Sequence, residues 1–185
     1  MNVDAFWSLL AVVIGGVLTI SGGFVSNVLL ERQRLNRESR SLALAFKGEI
    51  AALLNHIEMR GYSARFQQVI EQIETTRQPF FMPFNIRHSY DRVYANNLEN
   101  IGQLKGPLPE MIPVFYTLLS SIMEDLENMG DKIYAELDLE TLLRIYRDVL
   151  RLLEYTHQLG SQIMSEIDTQ YDLPPSRVKL GMRST

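Results

Sequence analysis

Between Asp4 and Glu31 lie 26 consecutive residues without a charged side chain, AFWSLLAVVIGGVLTISGGFVSNVLL. As an α-helix such a run is about 39 Å long, against the roughly 30 Å of a bilayer's hydrocarbon core. A helix packed into a water-soluble core seldom stays uncharged on every face for about seven turns. The run therefore predicts a transmembrane helix over residues 5–30, with residues 1–4 as a short external N-terminus. A cleaved signal peptide fits less well. Its first segment would be positive, whereas MNVD carries only Asp4, and no A-x-A-like cleavage site closes the run.

The flanks set the expected orientation. No Lys or Arg precedes the run, while ERQRLNRESR after it carries Arg32, Arg34, Arg37 and Arg40. Basic residues stay on the cytoplasmic side, so the N-terminus is expected outside and the C-terminus in the cytoplasm of a bacterial cell, as a single-pass inner-membrane protein. The four arginines also suit anionic lipid head groups, which makes membrane lipid an expected partner. Within the run, Ser8, Ala11, Gly15, Thr19, Gly22 and Ser26 recur at spacings of three and four, a stripe about 80° wide. Membrane helices associate through small residues that let backbones approach. Ser8, Gly15, Thr19, Gly22 and Ser26 are thus candidate interface or pore-lining residues of a homo-oligomer.

Beyond the membrane run the pattern stays helical. Leu35, Leu42, Phe46, Ile50, Leu53 and Ile57 recur at helical spacing up to Gly61. A second helix is predicted over 63–75, with Phe66, Val69, Ile70 and Ile73 on one face. RQPFFMPFNIRHSY interrupts the pattern as an ordered apolar loop. A helix is expected to resume near Asp91 and cover Val93, Tyr94, Leu98 and Ile101. After the KGPLP turn another starts near Pro109 or Pro113, since proline suits a first turn. A last helix, over 139–168, should bury Leu142, Tyr146, Val149, Leu150, Leu153, Ile163 and Ile167. No segment alternates like a strand. The expected fold is all-α: one N-terminal transmembrane helix continuing into a cytoplasmic helical bundle over 31–168, with a mobile polar tail over 169–185.

Charge is distributed unevenly. Residues 31–90 hold nine basic and six acidic side chains, and residues 91–172 hold six basic and fifteen acidic. A basic membrane-proximal part and an acidic distal part suit an anionic bilayer, and the acidic part disfavours nucleic acid as a partner. The absence of cysteine excludes thiolate metal sites and thiol catalysis. With three histidines and no phosphate-binding glycine loop or nucleophile elbow, no cofactor and no metal are expected. The acidic residues from Glu124 to Glu140 lack the spacing of a calcium loop and read as a solvated face. The Phe80–Phe84 cluster reads as cover for the core or as a place for a protein partner to dock; the C-terminal tail is the other such place.

Two patterns on the last helix could carry chemistry. Glu154-x-x-His157 is half of a di-iron ligand set, but no second Glu-x-x-His exists in the chain. Arg151 and His157, five residues between them, resemble the Arg-x4-6-His signature of HEPN ribonucleases, with Leu152 where a polar residue usually follows the Arg. That resemblance implies His157 as general acid or base and Arg151 beside a phosphate. Six residues apart, the two side chains diverge by about 120° on a helix, so a partner chain would have to complete the site. The layout as a whole, one membrane helix and a small HEPN-like helical domain, is similar to the membrane accessory protein of type VI-B CRISPR systems. That similarity implies an oligomeric membrane pore in antiphage defence. The leading expectation is a non-enzymatic, self-associating membrane protein acting as a pore or scaffold. A tethered HEPN-like ribonuclease and a regulatory subunit of a larger membrane complex are the alternatives.

Overall fold

The computed structural model describes residues 3–80, 91–129 and 137–174, with side chains from residue 27 onward. It divides into two units, Met1–Ser41 and Leu42–Thr185. Five α-helices are described: α1 (Val3–Arg60), α2 (Tyr62–Thr76), α3 (Arg92–Asn96), α4 (Leu108–Asn128) and α5 (Leu139–Gln170), with a 3-10 segment at Leu98–Gln103 between α3 and α4. No strand occurs among the described residues, so the fold class is all-α as expected. No helix among the described residues is long and apolar enough to cross a membrane. The uncharged run of 5–30 lies, as far as residue 26, outside the residues whose side chains are described. Of the first unit, Leu29, Leu30 and Leu35 are exposed, and Arg34 pairs with Glu38 one turn on at 2.9 Å.

In the second unit α5 is the spine. Its 32 residues span about 48 Å. Asp138 starts it by accepting hydrogen bonds from the Thr141 N–H and hydroxyl at 2.9 and 2.7 Å, an N-cap that holds its carboxyl below the usual aspartate range. Two rows of helix cover the spine. α4 runs antiparallel to it, its first half against the end of α5 and its second half against the start. The other row is made of α1 and α2 laid end to end. Lys47 pairs with Asp168, Leu54 meets Gly160, Glu58 meets His157 and Glu74 pairs with Arg147, so both helices run antiparallel to α5. Gly61, at φ 62°, makes the break between them. Left-handed backbone of this kind suits glycine, which has no Cβ to clash with the following carbonyl.

The core follows this division. One cluster joins α1 (Leu42, Phe46, Ile50, Leu54), the first half of α4 (Leu108, Ile112, Phe115) and the end of α5 (Ile163, Ile167). The other joins α2 (Phe66, Val69, Ile73), the end of α4 (Ile122, Leu126) and the start of α5 (Leu142, Tyr146, Val149, Leu153). Each fully buried side chain of this size contributes about 1.5–3 kcal/mol.

Gly160 is a point of close approach between three helices. A Cβ there would come within 2.8 Å of a Phe115 ring carbon and 3.1 Å of Leu54. A half-buried carboxylate ties α1 to the start of α3 and to α4. Glu49 accepts from the backbone N–H of Val93 at 2.8 Å and of Tyr94 at 3.3 Å, and from the Tyr116 hydroxyl. Burial and this neighbour push the Tyr116 hydroxyl well above the usual tyrosine range. The Tyr94 and Tyr116 rings stack with centroids 4.3 Å apart.

Several expectations need correction. Leu35 is 47% exposed, so the apolar periodicity of α1 becomes core only from Leu42. The helix near Asp91 stops at Asn96. The Asn96 and Asn97 side-chain amides each donate at 2.8 Å to the carbonyl four residues back, offering an alternative to further helical bonds. Leu98, expected on its apolar face, is exposed, while Ile101 is buried in the 3-10 segment. Leu150 is half-buried at the margin of the second cluster. The expected mobile tail begins inside the core: α5 continues to Gln170, and Tyr171 is buried. Lys105 lies 5.1 Å above the Tyr171 ring, and the Lys105 N–H donates to the Tyr171 hydroxyl at 3.1 Å. Residues 175–185 of the tail lie outside the described residues.

Candidate functional site

Two concavities open on the surface of α5, and they separate the two residues that the sequence groups together. The first, about 480 Å³, lies where α1 ends and α2 begins. His157 lines it with Glu58, Glu154, Tyr62 and Ser63. The His157 Nε2 stands 2.9 Å from Glu58 Oε1. A carboxylate can only accept, so the ring N–H is at Nε2 and Nδ1 is left as the other ring position. The ring sits at the margin of the core face, about one-third exposed, and bonds across to α1. Glu154 shares the groove, but among the described residues no group of three or more His, Asp or Glu converges as a metal site.

The second concavity is about 980 Å³ and lies between the end of α2 and the first four turns of α5. Arg151 lines this one, together with Arg77, Arg144 and Arg147. Arg151 bonds Asp148 at 3.0 Å and is 76% exposed. Arg147 is held by Glu74. Arg77 and Arg144 have no carboxylate partner among the described residues. Arg77 also has an unusual backbone. It caps the end of α2 in the left-handed region, φ 54° and ψ 29°, with its N–H bonded to the Ile73 carbonyl at 2.9 Å. That position is commonly glycine, and a side chain there costs about 1–2 kcal/mol.

Arg151 and His157 therefore do not form one site within the chain. Of the other predicted residues, Arg32, Arg34, Arg37 and Arg40 are all exposed on α1, open to solvent or lipid. Ser8, Gly15, Thr19, Gly22 and Ser26 lie on the α1 backbone, with side chains outside the described residues. Phe80 is 38% exposed and its carbonyl accepts from the Tyr146 hydroxyl at 3.1 Å; residues 81–84 of that cluster lie outside the described residues.

Sequence reasoning missed Glu49, Glu58 and Arg77. A trace of Glu49 was available: it sits three residues after Phe46 and four before Leu53, a charge at the edge of an apolar face. Nothing in the sequence identifies its partners 44 and 67 residues away. Compared with known proteins, the chain matches no family model, no curated protein and no solved structure.

Proposed function

We propose that the chain is a membrane-anchored, self-associating helical protein, a scaffold or pore whose helical unit stands in the cytoplasm. The observation that carries this reading is the uncharged run of 26 residues followed at once by Arg32, Arg34, Arg37 and Arg40. The length suits a hydrocarbon core and the arginines suit its cytoplasmic face. The exposure of all four arginines supports their role at a lipid surface. A structural rather than catalytic role is supported by the separation of Arg151 from His157 into different concavities. The small residues Ser8, Gly15, Thr19, Gly22 and Ser26 supply the self-association, and a place in antiphage defence follows from the resemblance in layout.

Alkaline carbonate extraction of membranes, followed by sizing of the detergent-solubilised chain, tests the proposal. The chain should stay in the membrane pellet and migrate as a discrete oligomer. Replacing Gly15 or Gly22 by Leu should keep it in the pellet and shrink the oligomer. Release of the unaltered chain into the carbonate supernatant overturns the anchor. A monomer in every mild detergent overturns the self-association.

A further inference from the structure

We propose that the groove between the end of α2 and the start of α5 is a binding site for a compact polyphosphate anion of the pyrophosphate class, gripped by Arg77 and Arg144. The site is independent of how the chain is anchored.

Its dimensions and chemistry disagree in an informative way. About 980 Å³ is the size of a small-molecule pocket, and such pockets are usually lined by apolar and aromatic side chains. This one is lined by arginines, carboxylates and Thr141, with Leu143 as the aliphatic exception among the described residues. It suits a ligand recognised by charge and hydrogen bonds.

The charges are not all equivalent. Glu74 and Asp148 are occupied by Arg147 and Arg151, and Asp138 is occupied as the cap of α5. That leaves Arg77 and Arg144 as two guanidinium groups without a carboxylate partner among the described residues, and Glu140 as a lining carboxylate without a cation partner among them. Each guanidinium presents a planar fork of donors that matches a phosphoryl group bidentately. Two forks match two phosphoryl groups.

Two features of this groove work against stability, and an anion relieves the first of them. Arg144, Arg147 and Arg151 are spaced three and four apart, so like charges stack along one face of α5. Arg77 holds left-handed backbone where glycine would be unstrained. A strained residue of this kind, lining a concavity, points to a role for its side chain. The surrounding carboxylates also limit the size of the ligand: a long polyanion would be driven against Glu74, Glu140 and Asp148, which favours a compact one.

Calorimetric titration of the full chain in neutral detergent with inorganic pyrophosphate tests this. Saturable binding at one ligand per chain is expected, with orthophosphate weaker by tenfold or more. Arg144→Ala should weaken pyrophosphate binding by about tenfold, the loss of a charge-assisted contact. Arg77→Gly should weaken it by about the same factor while keeping or raising the thermal midpoint, because glycine relaxes the backbone there. That variant separates loss of the ligand contact from loss of the fold. Arg60→Ala, an exposed arginine outside the groove, should bind as the unaltered chain does. A second arm uses a short-chain lipid with a bisphosphate head group. Tighter binding than pyrophosphate assigns the phosphoryl source to the membrane, and equal or weaker binding assigns it to solution. The proposal is overturned if pyrophosphate gives no saturable heat, if Arg77→Gly and Arg144→Ala bind unchanged, or if Arg60→Ala weakens binding as much as they do.

Discussion

Along the α1 half of α5, polar side chains are drawn into the packing. Glu49 holds the start of α3 and the Tyr116 hydroxyl, and Lys47 meets Asp168 with both side chains largely covered. Along the α2 half they stand outside it: Arg147–Glu74 and Arg151–Asp148 are about half exposed or more. Both halves have an apolar cluster of similar make-up beneath, so the difference is not one of core. In the first half a charge is a structural part, because removing its partner leaves a covered group unsatisfied. In the second, water can replace either partner, and the side chains are free to serve a ligand.

The comparison breaks or sharpens by mutation. The largest effect is expected at Gly160, where α1, α4 and α5 meet. Gly160→Val drives methyl groups into Phe115 and Leu54 and should cost about 3 kcal/mol, partly offset by better helix propensity. Chemical denaturation should show it; a loss under about 1 kcal/mol would mean that the helices can separate there cheaply. Next comes Glu49→Ala, which strands the Tyr116 hydroxyl and two backbone N–H groups and should cost about 2 kcal/mol. Glu49→Gln, keeping one acceptor, should fall between. If the alanine variant is neutral, the first half is no more tied by its polar groups than the second. The smallest effect is expected in the second half. Arg147→Ala removes an exposed pair and should stay within about 0.5 kcal/mol in the same assay. A loss of 2 kcal/mol there would erase the distinction.

How much of this was legible in the sequence follows the same division. Elements set by local signals came through. Gly61 ends α1, Pro109 lies in the first turn of α4, and the apolar spacing of α5 finds Leu142, Tyr146, Val149, Leu153, Ile163 and Ile167. The break at Asn97 was missed because apolar spacing alone ignores side-chain amides that compete for backbone carbonyls. Tyr171 was missed because a polar neighbourhood hid one aromatic whose cover comes from Lys105, 66 residues away. At the candidate sites, the divergence of Arg151 from His157 could be read from helical geometry. The partner of His157 could not, since Glu58 lies 99 residues earlier and only the register of α1 on α5 brings it within reach. Arg77 gave no signal, because a left-handed cap is normally announced by glycine.

The end-to-end placement of α1 and α2 along α5 also fixes an order of assembly. α4 and α5 are near neighbours in the chain and can pair early as a helical hairpin. The tie from Lys47 to Asp168 spans 121 residues and must wait for a long loop to close. On the ribosome the wait is longer still. The face of α1 that carries Leu42, Phe46, Ile50 and Leu54 is synthesised well before its partners on α5, Leu159, Ile163 and Ile167. Until α5 has emerged that apolar face stays open, which makes it the surface a chaperone would meet on the nascent chain.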